Sequence, residues 1–214
     1  MNNEILNKYV LGNAFEYFPK IDDHSVDLFF TGIPDFEELG DKNIAKYETF
    51  IFATLQHVDR IVKRDGFVVF CQTDRKMDGG IYAKHVEIIR IMKENHFNLK
   101  DYKILVKDRT DKVNLYRLNY SHILVFTKEG KIPLSKKKGD YLKDLWVYTM
   151  PENKNFWPEE FCDLVVSTFT LPTDLVVDPF CGRGTVLKSA KKLGRYYFGA
   201  EIKEELYNPT YVNS

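Results

Sequence analysis

Apolar runs of strand length recur along the chain, at 5–11, 26–30, 67–71, 102–106, 122–126, 174–177 and 196–200. Most are short, continuous and rich in Val, Ile, Leu and Phe, as strands covered on both faces are. Between several of them the period lengthens to that of a helix. Over 41–64, Tyr47, Phe50, Ile51, Leu55, Val58, Ile61 and Val62 share one helical face. The segment 82–96 repeats this with Val86, Ile89 and Met92, and 157–168 with Trp157, Phe161, Leu164 and Val165. A last helix is expected from Gly184 through Leu187, Ala190 and Leu193 to a C-cap at Gly194. Strands alternating with helices predict an α/β fold, a mainly parallel sheet with helices on both faces. The stretch 102–126 breaks the rhythm, because its two strand-like runs flank a polar connection (108–119) with no apolar helix. It predicts a hairpin that adds one antiparallel strand.

Length and charge narrow this picture. A chain of 214 residues suits a single domain that folds without staples. Its 31 Lys and Arg balance 31 Asp and Glu, which argues against indiscriminate, charge-driven binding to nucleic acid. The most linker-like stretch is 128–143, with Gly130, Pro133, Gly139 and a Lys136-Lys137-Lys138 run. Cys71, Cys162 and Cys181 are odd in number and far apart, so a reducing compartment is expected and a disulfide framework is not. No run approaches 18 apolar residues, so no membrane span is expected. Met1-Asn2-Asn3-Glu4 lacks the basic lead of a secretory signal, so the expected location is intracellular, cytoplasm or nucleus. Asn119-Tyr120-Ser121 then matches the glycosylation pattern by chance. None of the five histidines sits at a metal-ligand spacing, and no metal is predicted.

The chemistry concentrates near the end of the chain. Leu175-Val176-Val177-Asp178 reads as a strand ending in an acid, followed by Pro179-Phe180-Cys181-Gly182-Arg183-Gly184-Thr185, a glycine-rich turn that opens a helix. Gly182 and Gly184 let the backbone approach a ligand, and the free N–H groups of the helix attract its polar end. Glu201 closes the next strand, where α/β nucleotide-binding folds place an acid that accepts from ribose hydroxyls. Cys181 reads as a small packing residue, since no His or second Cys stands beside it in the turn.

This segment, with Leu193-Gly194-Arg195 and Gly199-Ala200-Glu201-Ile202, resembles the S-adenosylmethionine (SAM) motif of the DNA N4-cytosine/N6-adenine methyltransferases, D-P-F-x-G-S-G-T, then L-G-R and G-x-E. Its place near the C-terminus is similar to the circularly permuted (class beta) branch, in which the catalytic half comes first. Phe156-Trp157-Pro158-Glu159-Glu160-Phe161 resembles the family's F-P-E-E-L segment, Leu11-Gly12-Asn13-Ala14 its G-D-A, and Asp23-His24-Ser25-Val26-Asp27-Leu28 its D-x-S-V-D-L. The resemblance implies a Rossmann-like seven-stranded methyltransferase sheet. It divides the domain, 1–214, into a catalytic half of about 1–128, a short basic linker of about 129–150 and a SAM-binding half of about 151–214. It implies that Asp178, Phe180, Gly182, Gly184 and Thr185, with Pro179 and Cys181 in the same turn, surround the amino-acid end of SAM. Glu201 would bind its ribose and Ile202 would pack on its adenine. Asn13, beside Ala14, would meet the adenine amino group, and Trp157 would join the cofactor site.

The catalytic motif departs from the family. There it reads D-P-P-Y, N-P-P-Y or S-P-P-Y, usually after a Thr, whereas here Thr31 is followed by Gly32-Ile33-Pro34-Asp35-Phe36. The family's first residue and the next carbonyl accept the two N–H bonds of a base amine, and the aromatic residue stacks on the flipped base. Gly32 has no side chain, Ile33 still supplies a carbonyl, and Asp35 cannot stack. Two readings stand open. Asp35 accepts the amine hydrogen or acts as base while Phe36 stacks from a turn shifted by one, or Asp35, Glu37 and Glu38 are ordinary solvated residues. The loop Gln72-Thr73-Asp74-Arg75-Lys76 lies past the strand 67–71, so Asp74 or Gln72 is a candidate for the missing acceptor, the alternative being a plain polar loop entering Gly79-Gly80.

The function expected is that of a SAM-dependent methyltransferase acting on an exocyclic base amine, in DNA first and RNA second. The alternatives are a methyltransferase of the same fold with another substrate, or an inactive SAM-binding partner subunit. The interval 129–150 is too short for a recognition domain, so selectivity would need a homodimer, a recognition subunit or a structured RNA. The lysine run could meet phosphates or simply be solvated.

Overall fold

The structure is a computed structural model that describes residues 5–40, 43–77, 80–108, 118–132, 141–149 and 157–214. The lysine run 136–138, most of the polar connection 108–119, Gly79 and Phe156 lie outside the described residues. The strands are β1 (Lys8–Leu11), β2 (Val26–Thr31), β3 (Val62–Gln72), β4 (Arg75–Met77), β5 (Gly80–Tyr82), β6 (Asn98–Asp108), β7 (Tyr120–Thr127), β8 (Leu145–Thr149), β9 (Leu175–Asp178) and β10 (Tyr196–Glu201). The helices are α1 (Ala14–Tyr17), α2 (Ile44–Ile61), α3 (Lys84–Glu94), α4 (Glu159–Phe169), α5 (Thr185–Lys192) and α6 (Pro209–Asn213).

Among the described residues, eight strands form one sheet in the order β1-β10-β9-β2-β3-β7-β6-β8. Neighbours from β1 to β3 are parallel, β7 runs antiparallel to both β3 and β6, and β8 is parallel to β6. The alternating α/β pattern and the single reversed strand therefore stand as read from the sequence. The expectation of seven strands is corrected to eight. The additional strand, β8, falls inside the stretch taken as a linker, and Trp146 is what fixes it there. Trp146 is buried against Phe161 and Tyr141, while its neighbours Leu145 and Val147 face solvent at the sheet edge. β4 and β5 make a separate two-stranded ribbon.

Two apolar layers hold the helices on. Tyr47, Ile51, Leu55, Val58 and Ile61 seat α2, with Ile88, Ile91 and Met92 of α3, on Phe29, Val68, Phe70 and Leu124. The opposite face joins Phe161, Val165 and Val166 of α4, and Val186, Leu187 and Ala190 of α5, to Leu28, Phe30, Val69 and Val176. Each helix buries a single stripe, which explains why the period was visible in the sequence. The three cysteines are buried thiols, none of them in a disulfide.

The order of strands sets the place of a site. From β9 the chain passes through α5 to β10 on one side, whereas from β2 it passes through α2 to β3 on the other. The direction of winding thus reverses between β9 and β2. Ligands of open α/β sheets lie beyond the carboxyl ends of strands at such a reversal.

Candidate active site

A cleft of about 340 Å³ opens there. Its walls take in Gly12, Asn13 and Ala14 after β1, Gly32 to Asp35 after β2, Gln72 and Thr73 after β3, Asp178 to Gly182 after β9, and Glu201 to Lys203 after β10. Trp157, Thr185, Phe50, Arg75, Lys84 and Glu38 also line it. One cleft therefore joins the two halves that the sequence separates by more than a hundred residues. Thr31 ties them directly, donating from Oγ1 to Asp178 Oδ1 at 2.6 Å across the β2–β9 junction.

The glycine loop owes its shape to backbone that other residues resist. Gly182 and Gly184 hold φ of 52° and 87°, in the left-handed region that a Cβ disfavours. A Cβ at Gly184 would also stand 2.5 Å from Val212. Tyr9 Oη donates to the Gly182 carbonyl, so β1 clasps the loop from the far edge. Sequence reasoning missed Tyr9, which reads as an ordinary strand tyrosine.

Two buried acids face this loop. Glu201 accepts from Gly182 N at 2.8 Å and from Lys203 N at 2.8 Å. Asp178 accepts from Thr31 and from Phe180 N, at 3.2 Å for the latter. Burial pushes the Asp178 carboxyl up to about 7, against the lowering by those two donors and with a further push from Glu201. Neither acid is in an ion pair among the described residues. Two desolvated carboxylates without cations suit a ligand that brings its own, as SAM does with its sulfonium and ammonium. Ile202, 67% exposed at the rim, offers the apolar face a purine needs. Asn13 Oδ1 caps α1 by accepting from Phe15 N at 3.1 Å, which leaves its amide N–H groups for the cleft. Cys181 Sγ donates to Ala200 O at 3.2 Å and burial pushes its thiol up, so it packs and does not attack. The residues present thus fit SAM.

The turn after β2 is built differently. Gly32 lies against Trp157: a Cβ there would stand 3.1 Å from the indole and 3.2 Å from Cys71 O. Trp157 stacks on Phe30, with centroids 5.1 Å apart and planes 10° apart. Lys84, 2% exposed, donates to Ile33 O at 3.1 Å and to Asp35 Oδ1 at 2.6 Å. Arg75 bridges Asp35 at 3.2 Å and Glu37 at 2.5 Å. The solvated reading is corrected for Asp35, which holds Lys84 of α3 and Arg75 of β4, whereas Glu37 and Glu38 are exposed as that reading has them. Phe36 is also relocated. It is buried against Tyr47 in the α2 core and is absent from the cleft lining, so it does not stack a base. The aromatic side chains that do line the cleft are Phe50, Trp157 and Phe180. Lys84 and Phe50 escaped the sequence reading because one resembles a solvated residue at a helix start and the other a core residue.

Asp74 is corrected as well. It sits behind the cleft wall, where His85 Nδ1 lies 2.7 Å and His122 Nε2 3.3 Å from its Oδ2, and His85 N donates to Oδ1 at 3.2 Å. Burial opposes its charge, but the imidazole contacts prevail and hold the carboxyl below its ordinary value. The three side chains bring potential ligand atoms within 4.8 Å of one another, from positions too far apart in the chain for spacing to reveal. The imidazoles stack with centroids 3.9 Å and planes 11° apart.

No helix among the described residues is long and apolar enough to cross a membrane. Residues 17–212 match a family model described as DNA methylase, N6_N4_Mtase. The type II methyltransferase M.BglII of Bacillus subtilis is 34% identical over 95 residues, a match spanning 39% of this chain and 25% of that protein. The orphan methyltransferase M.BamHII of Bacillus amyloliquefaciens is 25% identical over 234 residues, covering 86% of this chain and 87% of the relative. Among solved structures, the cytosine-N4-specific PvuII DNA methyltransferase superposes with a TM-score of 0.80 at 19% identity, over 93% of this chain and 83% of that one. This last likeness is one of fold.

Proposed function

Because the chain belongs to the N6/N4 DNA methylase family, whose cofactor is SAM, we propose that it transfers a methyl group from SAM to the exocyclic amine of a DNA base. The observation that carries this reading is the single cleft in which the glycine loop, Glu201 and the turn after β2 meet, tied by the Thr31–Asp178 hydrogen bond. SAM would supply an electrophilic methyl carried on a sulfonium. Gly182, Gly184 and the N-terminus of α5 would receive its amino-acid end. Asp178 would face its positive charge, Glu201 would accept from the ribose hydroxyls, and Ile202 and Asn13 would hold the adenine. On the other wall, Pro34 stiffens the turn and Ile33 O accepts one amine hydrogen beside Lys84. Asp35, held between Lys84 and Arg75, would fix the turn that carries Ile33 O.

One observation favours a second reading. The ammonium of Lys84 already covers Ile33 O, the carbonyl an amine would use. In that reading the chain binds SAM without turnover and partners an active subunit. A homodimer or a recognition subunit serves selectivity in either case, and the protein works inside the cell where DNA lies. Transfer of labelled methyl from SAM into DNA amplified in vitro, which carries no methyl marks, separates the two. The first reading expects N6-methyladenine or N4-methylcytosine in the hydrolysate, and unlabelled DNA at high enzyme with SAM bound rejects it.

A further inference from the structure

Gly32 leaves the target amine short of one acceptor, and the side chain of Asp35 is committed to Lys84 and Arg75. The neighbouring strand ends in a residue of the required type. Gln72, the last residue of β3, lines the cleft yet is 1% exposed, and its Nε2 is buried without a hydrogen-bond partner. A buried amide nitrogen left unpaired keeps its full desolvation penalty, so such groups await a partner. β2 and β3 run parallel with Thr31 beside Phe70, and Gly32 stands against Cys71 O. Extended by two residues, that register carries Gln72 to the level of Ile33, on the sheet face that Ile33 and Phe70 share.

We propose that Gln72 is the base-reading residue of this protein, taking over from the side chain that Gly32 lacks. Its Oε1 accepts one hydrogen of the target amine while Ile33 O accepts the other. Its Nε2 donates to the ring nitrogen next to that amine. An amide matches this pair of groups in one plane, donor against acceptor and acceptor against donor, as glutamine does in pairing with adenine edges. Adenine and cytosine both place an exocyclic amine beside a ring nitrogen, so the shared chemistry is that pair of atoms, and the identity of the methylated nucleoside reports which base enters. An uncharged acceptor suffices chemically, since N-P-P-Y is one of the forms of the motif that the turn resembles. The assignment rests on the proposed reaction and adds the residue that would orient its acceptor nitrogen.

The test compares wild type with Gln72→Met, which keeps the volume and removes both polar atoms, and Gln72→Glu, which keeps a donor and an acceptor while protonated and loses the donor once ionised. Each is assayed for SAM affinity by calorimetry and for labelled transfer into unmethylated amplified DNA. We expect SAM affinity within twofold of wild type in both variants. Gln72→Met should lose about 30- to 100-fold in kcat, in line with the loss of both hydrogen bonds to the base. Gln72→Glu should stay within about tenfold of wild type while its carboxyl is protonated, and should gain a fall of kcat with rising pH as the carboxyl ionises and its donor is lost. If Gln72→Met does not fold, that new pH profile in Gln72→Glu decides alone. An active wild type matched within threefold by Gln72→Met, or a Gln72→Glu variant without that fall of kcat with pH, overturns the role of Gln72 alone. A wild type that binds SAM and leaves the DNA unlabelled overturns the proposed reaction, and the role of Gln72 with it.

Discussion

The ends of β9 and β2 lie side by side, yet they are assembled on different principles. After β9, shape comes from the backbone: two left-handed glycines, a clasp from Tyr9 and a helix N-terminus. After β2, shape comes from side chains borrowed from elsewhere: Trp157 beside Gly32, Lys84 on Ile33 O, and Arg75 on Asp35 and Glu37. A backbone device tolerates little substitution and stays readable as a short motif. A side-chain device can be exchanged one contact at a time, and its parts scatter along the chain. The two ends also differ in charge. The loop end keeps two buried acids without cations among the described residues, whereas the turn end pairs Asp35 and Glu37 with Lys84 and Arg75.

The sharpest way to break this contrast is at Gly184. Gly184→Ala forces a Cβ into a left-handed residue and onto Val212, and should cost about 2–4 kcal/mol in denaturant unfolding and abolish SAM binding. A variant as stable as wild type would show that the loop is not set by its backbone. Next in size is Lys84→Met, which frees Ile33 O and leaves Asp35 with Arg75 alone. If Lys84 positions the turn, kcat should fall about tenfold while SAM affinity stays within twofold. A rise in transfer would mean instead that Lys84 blocks the carbonyl, and would favour a resting state closed by this residue.

These two sites also show what a sequence can carry. The strand, acid, glycines and helix of 175–193 are contiguous, so their physics and their order coincide, and the loop was legible at once. The helical stripes and the reversed strand were legible for the same reason, since each is a local period. Lys84, Phe36 and Asp74 were not. Lys84 opens a helix, where a lysine normally meets water, and only the fold folds it inward under the turn. Phe36 sits one residue past the motif, and nothing local distinguishes a ring in the cleft from one against Tyr47. Asp74 meets His85 and His122 from three separate elements. β8 was hidden because its one buried anchor, Trp146, stands among polar and exposed neighbours. Gly32 looked like a lost side chain. Its partner Trp157, far along the chain, shows that the space is filled.

A smaller effect sharpens the electrostatic side of the contrast. Asp178 is held near 7 by burial, well above the ordinary carboxyl value of its unfolded state. Between those values the native state holds a proton that the unfolded state has lost. The contribution of Asp178 to the ligand-free protein is therefore at its best below the unfolded value and is lost as pH rises through about 7. Asp178→Asn should raise the Tm at pH 8, by about 2–4 °C for each kcal/mol relieved in a chain of this size. The gain should shrink towards pH 4, and SAM affinity should fall at every pH above 7. Equal Tm at pH 8 would place the carboxylate in a more solvated setting. The smallest effect is expected at Gly32. Gly32→Ser alone should not improve transfer, because its Cβ meets the indole of Trp157. Paired with Trp157→Phe it should be tolerated, and the two changes should be non-additive in stability.

The claim on which the rest depends is that the cleft between β9 and β2 cradles SAM with its ribose on Glu201. Calorimetric titration of SAM into the wild-type protein and into Glu201→Ala tests it most directly. The account predicts one site per chain in the wild type and at least about tenfold weaker binding in the variant, the loss expected for hydrogen bonds to a charged acceptor. No binding by the folded wild type, or equal affinity in the two proteins, would contradict it.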